Sequence, residues 1–263
     1  MIYDLQKASI LKRIAAGIFD FILTIILAVG IIALLSVVFK YDSMNKELNG
    51  YYDAYAEEYG IDFRKVDQET FDSYTPEEQE YYKQTYELLI QDKGFLKVYN
   101  LIINVTVLMV TFGFLIGVII IEFVVPLILK NGQTLGKKCF NICVMHQNGV
   151  KVKNMPLFIR ALLGKYTIET MIPIYIGIMF IFGSITILHI FILLVYVVVQ
   201  IVMIITNRYN ALIHDAMSFT VVVDKESQMI FDTEEELIKY KEKIALEEEK
   251  NSKTFNKKLK EEI

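Results

Sequence analysis

The sequence RIAAGIFDFILTIILAVGIIALLSVVF, Arg13 to Phe39, decides the fold of this chain. Between residues 14 and 39, a run of 26 residues, Asp20 is the one ionisable side chain. A helix of about 20 apolar residues can cross a bilayer, so the run predicts a transmembrane helix. A carboxylate inside it costs roughly 2.5 to 3.5 kcal/mol on insertion scales unless it is paired, hydrated or protonated. Arg13 shares its helix face but lies about 10.5 Å away along the axis, so we expect Asp20 to have another partner.

The whole composition agrees with a membrane protein. The chain has 263 residues, of which 54% are hydrophobic and only 4 are proline, which is too apolar for an ordinary soluble domain. A cleaved signal peptide is the alternative for the N-terminus, because Lys7 and Lys12 precede the apolar run. The run exceeds the roughly 7 to 15 residues of a signal core and carries Asp20, so a retained anchor is favoured.

The distribution of charge predicts how the chain is oriented. Residues 40–97 hold 14 acidic and 7 basic residues, whereas residues 130–165 hold 7 basic residues and no acid. Basic loops stay in the cytoplasm. We therefore expect a cell-membrane protein with residues 130–165 and both termini in the cytoplasm. Residues 40–97, which are rich in tyrosine, would form an extracytoplasmic cap of two or three short helices. One of these helices is predicted to begin at Thr75-Pro76.

The remaining apolar runs predict the other spans. Residues 98–129 form a second span, and the 41 residues 166–206 are enough for a third near 167–183 and a fourth near 185–206. One long span with an interfacial helix remains the alternative for residues 166–206. The predicted fold is an all-α polytopic membrane bundle of about four transmembrane helices. Its parts are a lead-in and first span (1–39), the cap (40–97), the membrane core (98–223) and a charged cytoplasmic helical tail (224–263).

Two shorter features lie in the cytoplasmic regions. Residues 140–145 and 150–152 flank the turn Gln147-Asn148-Gly149, which predicts a short hairpin. A helix carrying Arg160 should follow from Asn154, lying along the membrane surface. The tail reads as an amphipathic helix for self-association or partner contact, or as a solvated end.

Four motifs carry a family resemblance. They are RIAAGIFD at 13–20, GQTLGKK at 132–138, RALL at 160–163, and NRYNALIHD at 207–215 ahead of TVVV at 220–223. In this order they resemble the RDD family of prokaryotic membrane proteins, named for one arginine and two aspartates. The resemblance covers about residues 7–223 and implies that Arg13, Asp20 and Asp215 are the name-giving positions. For activity it implies a transport role and no settled chemistry.

Ionisable groups at membrane depth or at span ends mark ion and proton paths in many membrane proteins. They therefore favour transport of an ion or small solute by proton-coupled exchange, with Asp20 as the central acid and Arg13 or Arg208 as the tuning cation. Four spans are few for a pathway, so a homo-oligomer is expected. The alternative is a membrane scaffold or assembly protein whose buried charges are structural. The candidate charge network comprises Arg13, Asp20, Glu122, Arg160, Arg208 and Asp215, while Glu169 and His189 are further ionisable groups within the apolar runs.

Other classes of function are disfavoured. No hydrolase, zinc-protease or phosphate-loop motif is present in the sequence, so we expect no enzyme, no cofactor and no metal. Cys139 and Cys143 lack a nearby third ligand, although His146 is close. Lys137 and Lys138 are interpreted as contacts to anionic lipids. An acidic membrane chain is a poor candidate for nucleic-acid binding.

The spacing of two motifs predicts specific contacts. Arg208 and Asp215 are seven residues apart, as are Arg13 and Asp20, and both pairs lie near the cytoplasmic ends of their spans. We therefore predict crossed pairing: Arg13 with Asp215, and Asp20 with a basic or polar group from another span.

Overall fold

The computed structural model describes residues 5–181 and 183–261 and is 75% helical. Within this part of the chain, three helices are long and apolar enough to cross a membrane: Ile10–Val38, Lys93–Leu129 and Ile187–Thr206. The predicted all-α membrane fold is confirmed. The count of four spans is not, because the predicted third span is the end of a helix that carries charged residues and stops at Ile181.

The helices follow one another with short connections. They are α1 (Ile10–Val38), α2 (Tyr41–Tyr59), α3 (Gln68–Ser73), α4 (Pro76–Gln91), α5 (Lys93–Ile119), π1 (Ile120–Val124), α6 (Val125–Leu129), α7 (Leu135–Cys139), α8 (Asn154–Ile159), π2 (Arg160–Thr170), α9 (Met171–Ile181), α10 (Ile187–Thr206), α11 (Ile213–Met217) and α12 (Glu234–Glu261). Two strands, β1 (Ile142–His146) and β2 (Thr220–Asp224), complete them. Residues 1–4 of the predicted lead-in, residue 182 of the predicted third span and residues 262–263 of the predicted tail lie outside the described residues.

Helix α1 buries a narrow stripe of small and polar residues. Ala16, Asp20, Thr24 and Ala28 recur every four residues and are each at most 5% exposed. Residues four apart share a helix face. Small side chains let neighbouring backbones approach closely, as is usual where membrane helices pack. This stripe brings Asp20 into the protein, while apolar residues such as Ile14 and Ile18 on the other faces remain exposed.

Two π-helical segments interrupt the longer helices where charged residues lie. Segment π1 contains Glu122 and continues directly into α6, which has Pro126 in its first turn. Proline lacks a backbone N–H, and here the helix accommodates it by widening one turn and ending at Leu129. Segment π2 connects α8 and α9 without a break. The surface helix predicted from Asn154 is therefore the start of a longer helix whose Arg160 is buried.

Residues 5–26 and 114–261 belong to one compact unit. Within it, β1 and β2 pair antiparallel, from Ile142 opposite Asp224 to His146 opposite Thr220. The N-terminal segment adds to the other side of β2, where the Ala8 N–H donates to the Val222 carbonyl at 3.1 Å. The core beneath this sheet includes Ala8, Ala16, Ile142, Val144, Val152, Leu157 and Val222.

The predicted hairpin is only partly correct. The turn is present, because the Gly149 N–H donates to the His146 carbonyl and Met145 forms a bridge with Lys151. The main partner of β1, however, is β2, which begins 74 residues after β1 ends. Its apolar residues Val221 and Val223 lie opposite Met145 and Cys143 and form a buried cluster with them. A turn signal indicates where the chain reverses but cannot indicate a distant strand.

Residues 27–113 form the second compact unit. The predicted cap consists of three helices, α2 to α4. At Thr75 both hydrogen bonds of a capping box are made with Glu78, and Pro76 occupies the first turn of α4. The ring of Tyr82 contacts those of Phe63, Phe71 and Tyr86 at centroid distances of 5.2 to 6.4 Å. Packing of the cap helices on one another therefore accounts for these aromatic residues.

The tail belongs to the first unit and packs on it at its start. Leu237 of α12 is buried with Val150 and Phe231, and the Phe231 and Tyr240 rings lie 5.2 Å apart. Further along α12, Ile238 and Leu246 are more than half exposed. The tail is thus an attached helix at its start and offers exposed apolar side chains beyond it.

Candidate functional site

Asp20 is held by a short helix that follows the second span. Its Oδ1 accepts a hydrogen bond from the Gly136 N–H at 2.8 Å, and its Oδ2 accepts one from the Thr134 hydroxyl. Thr134 also caps α7 by accepting from the Lys137 N–H. Gly136 is required here, because a Cβ at this position would meet the Ala16 carbonyl oxygen and lie 2.9 Å from the Asp20 carboxyl group.

Lys137 joins two buried acids. Its Nζ lies 3.3 Å from Glu122 Oε2 and 3.7 Å from Asp20 Oδ2, and the residue is 6% exposed. Burial lowers the pKa of the Lys137 ammonium, and the Glu122 carboxylate opposes part of that effect. Since the ammonium lies between these two acids, Lys137 does not lie at the protein surface as its basic segment suggests, and its lipid contact remains a prediction. Lys138 is exposed, and its lipid contact remains a prediction.

A second centre surrounds Asp215 on α11. Arg13 Nη2 lies 2.8 Å from Asp215 Oδ2, and Arg160 Nη2 lies 3.1 Å from Oδ1. Asp215 is fully buried; burial alone would raise its pKa, but His214, Arg160 and Arg13 lower the pKa to about 2. Arg160 Nη1 also lies 3.8 Å from Glu122 Oε2, which connects this centre to the Lys137 pair.

A third centre surrounds Glu169 of π2. Its carboxylate contacts the His214 ring at Nδ1, Lys165 Nζ at 3.3 Å and the Gln200 amide at 3.2 Å. Gln200 lies on α10, so this centre joins α10 to π2 and α11. Gly164 allows the close approach of π2 to α11, because a Cβ there would overlap the backbone and side chain of His214.

The three centres form one charge network. Its members are Arg13, Asp20, Glu122, Lys137, Arg160, Lys165, Glu169, His214 and Asp215. The four carboxylates match the four lysine and arginine side chains. In the described part of the chain, no buried side-chain nitrogen or oxygen lacks a hydrogen-bond partner. The network is therefore electrically balanced and fully bonded, which is the condition for holding charges away from water.

Two cavities adjoin the network and differ in the charge of their walls. The acid-lined cavity, of about 160 Å³, is bordered by three carboxylates, Asp20, Glu122 and Glu169, and one cation, Lys165. The hydroxyl-bearing residues Thr24, Thr170 and Tyr196 also line it. The base-lined cavity, of about 320 Å³, is bordered by Arg13, Lys137, Arg160, Lys165, His214 and one carboxylate, Glu122.

The structure brings together most of the site residues predicted from the sequence. Arg13, Asp20, Glu122, Arg160 and Asp215 all lie in the network, and the predicted contact of Arg13 with Asp215 is present. The partners of Asp20 come from α7 and the residue before it, not from another span as predicted, because Asp20 faces the segment that follows α6.

Two predicted residues lie elsewhere. Arg208 is exposed, and its guanidinium lies 6.0 Å from the ring centre of Tyr209. It is therefore not the tuning cation of Asp20, which contacts Lys137 instead. His189 caps the start of α10 by bonding to Thr186, and it is not in the middle of a span.

Sequence reasoning missed three members of the network as site residues. The sequence assigns no role to Lys165 or His214, and it predicts Glu169 at membrane depth without a partner. The available signal was the spacing in π2: Arg160, Lys165 and Glu169 recur at intervals of five and four, which keeps them on one side of a wide helix.

Comparison with known proteins yields one match. The family model for the RDD family matches residues 7–219, most of the chain. No curated protein and no solved structure matches the chain. The matched region contains every member of the charge network.

Proposed function

Because the chain belongs to the RDD family of membrane proteins, we propose that it transports an ion or a small solute by proton-coupled exchange through its buried acidic and basic groups. The observation that carries this proposal is Asp20. It is 3% exposed, lies in a helix long enough to span a bilayer, and lines a cavity together with Glu122 and Glu169. Buried ionisable groups inside spans commonly mark ion and proton paths.

The contacts suggest how loading would work. Asp20 and Glu122 share the single ammonium of Lys137. A proton or a metal cation that enters the acid-lined cavity would compete with Lys137 for these carboxylates, because each supplies negative charge to the same small space. Asp20 is then the loading acid, Lys137 replaces Arg208 as the tuning cation, and Asp215 with its two arginines anchors the cytoplasmic end.

The proposal includes the setting of the protein. We place it in the cell membrane with both termini in the cytoplasm. The basic residues between 130 and 165 support this side, and the hydrogen bond from Ala8 to Val222 brings the segments before α1 and after α10 to the same side. A homo-oligomer would supply the additional helices that enclose a pathway, since one protomer offers few spans. The proposed activity moves a solute and assigns no enzymatic reaction.

A scaffold or assembly protein is the second candidate, favoured by the electrical balance of the network. A buried set of paired charges can fix how helices pack without contributing to transport. In this alternative, partners would bind the cap or the exposed apolar residues Ile238 and Leu246 of the tail.

Flux measurements on purified protein in liposomes test the transport proposal. A pH-sensitive dye inside the vesicles would report proton movement when sodium, potassium or lithium gradients are imposed. We expect flux from the wild type, loss of flux in Asp20→Asn, and wild-type flux in Asp42→Asn, which changes an exposed carboxylate of the cap. Equal incorporation and equal melting temperatures would show that each variant is folded.

Absence of flux from the wild type under every gradient would contradict the proposal, as would full flux from Asp20→Asn. The scaffold alternative is tested separately by capture of partners with the full chain and with a chain lacking residues 225–263. It loses its support if neither form retains a partner.

A further inference from the structure

The base-lined cavity has an apolar mouth. Four residues of α1 that border it, Ile10, Ile14, Ile18 and Phe21, are 45 to 57% exposed. These residues belong to a helix long and apolar enough to lie in a bilayer, so we expect their exposed surfaces to face acyl chains and the entrance to be reached from the lipid.

The inner wall of the same cavity is cationic. Arg13, Lys137, Arg160 and Lys165 all line it, whereas Glu122 is the one acid among the lining residues. The other three acids of the network do not line this cavity, although their charges balance these cations. They are Asp20, Glu169 and Asp215. The charged side chains that line the cavity are therefore mostly basic, and in a poorly solvated site the charges nearest a ligand act on it most strongly.

The two walls together define a ligand class. We propose that the base-lined cavity binds an anionic amphiphile, with its carboxylate or phosphate head against the arginines and lysines and its alkyl chain between the apolar residues of α1. Its volume of about 320 Å³ falls within the roughly 300 to 1,000 Å³ of small-molecule sites. Guanidinium groups bind carboxylates and phosphates through paired hydrogen bonds.

This site shares Glu122 and Lys165 with the acid-lined cavity, but its ligand and its test do not depend on the transport proposal. The acid-lined cavity would take a cation, whereas the base-lined cavity takes an anion with an apolar chain. The ligand could be a free single-chain anion or the head of an anionic phospholipid. Both present the same chemistry, so separate arms of the experiment distinguish them.

Binding is measured on the full-length protein in a neutral maltoside detergent, with no flux readout. The first arm titrates dodecanoate, its uncharged methyl ester and dodecyltrimethylammonium, and follows the melting temperature. We expect dodecanoate to raise it by several degrees and the other two to leave it within one degree. The second arm compares nanodiscs of phosphatidylglycerol and of phosphatidylcholine.

The outcomes separate the sources of the ligand. Stabilisation by dodecanoate alone identifies a free amphiphile, and stabilisation by phosphatidylglycerol alone identifies a lipid head. Either result, or both, supports the proposal. Equal shifts with the neutral ester and the cationic amphiphile, or no shift with either anion, would overturn it.

A matched pair of variants locates the site. Ile14→Trp fills the mouth of the cavity, and Ile22→Trp adds the same ring to an exposed position of α1 that borders neither cavity. We expect at least a tenfold loss of affinity in Ile14→Trp and wild-type affinity in Ile22→Trp. If Ile14→Trp fails to fold, Ile18→Trp takes its place. Wild-type affinity in a folded mouth variant, or equal loss in Ile22→Trp, would refute the assignment.

Discussion

Arg13 Nη2 lies 2.8 Å from Asp215 Oδ2, although the two residues are 202 positions apart in the chain. The pair joins the start of the first span to a short helix after the last one. Both side chains are largely or fully buried, so the charge of each is stabilised by the opposite charge of the other.

Asp215→Asn should destabilise the protein strongly. It leaves the guanidinium groups of Arg13 and Arg160 without their carboxylate, and breaking a buried pair costs about 3 to 5 kcal/mol. Unfolding followed in detergent gives the free energy. In a double-mutant cycle with Arg13→Gln, the two losses should be smaller in combination than their sum. Additive losses would show that the pair is not coupled.

Gly136→Ala should disturb the packing of α7 against Asp20. The added Cβ would lie 2.9 Å from the Asp20 carboxyl carbon and press on the Ala16 carbonyl, which are contacts too short to accept. We expect a loss of about 1 to 3 kcal/mol in stability from overpacking. Gly30→Ala is the control, because its Cβ meets nothing within 4 Å. A Gly136→Ala protein as stable as this control would contradict the geometry of α7.

Lys137 and Lys138 should differ in chemical reactivity. Lys137 is 6% exposed and paired with two acids, whereas its neighbour is exposed. Brief treatment of the folded protein with an acetylating reagent, followed by mass spectrometry, should modify Lys138 at least tenfold faster. The difference should disappear in denaturant. Equal rates in the folded state would mean that Lys137 reaches the surface.

The two cysteines offer a test of orientation and of burial. Burial raises the pKa of the Cys143 thiol to about 11, so its reactive thiolate is nearly absent at pH 7, whereas Cys139 is exposed. A membrane-impermeant maleimide should therefore label Cys139 alone, and only in inside-out vesicles if residues 130–165 are cytoplasmic. Labelling of intact cells from outside would reverse the proposed orientation.

Thr75→Ala should loosen the start of α4. The change removes the hydrogen bond that the Thr75 hydroxyl accepts from the Glu78 N–H and the one it donates to the Glu78 carboxylate, and leaves the bond from the Thr75 N–H to that carboxylate. An N-cap of this kind contributes about 1 kcal/mol. Hydrogen exchange should speed up in the first turn of α4 and change little in Ser73→Ala. Unchanged exchange in Thr75→Ala would show that the cap helices are held by their aromatic packing alone.

Several features of the fold could be predicted because they depend on local chemistry. The apolar run after Arg13 identifies the first span by length, and Thr75-Pro76 identifies the start of α4 by its caps. The contact of Arg13 with Asp215 follows from the equal spacing of two motifs at one end of the spans. Each of these features is determined by a short stretch of sequence or by the similarity of two such stretches.

Other features depend on which distant parts of the chain pack together in the tertiary structure. Lys137 lies in a strongly basic segment, which favours a surface interpretation, and only the packing of α7 against Asp20 shows that it is buried. The contact of His214 with Glu169 joins residues 45 apart through the wide turn of π2, which an α-helical period of 3.6 residues does not predict. The strand partner of β1 is likewise set by tertiary packing.

The position of α11 near the end of the matched region has a consequence for synthesis. At about 5 to 20 residues per second, the ribosome needs roughly 10 to 40 s to make the 202 residues that separate Arg13 from Asp215. During that time the first span is already synthesised. Asp20 has no partner until Thr134 is made, and Arg13 has none until Asp215 is made. The nascent chain must therefore hold each charge unpaired until then, so a chain truncated before α11 should be a preferred target of membrane proteases.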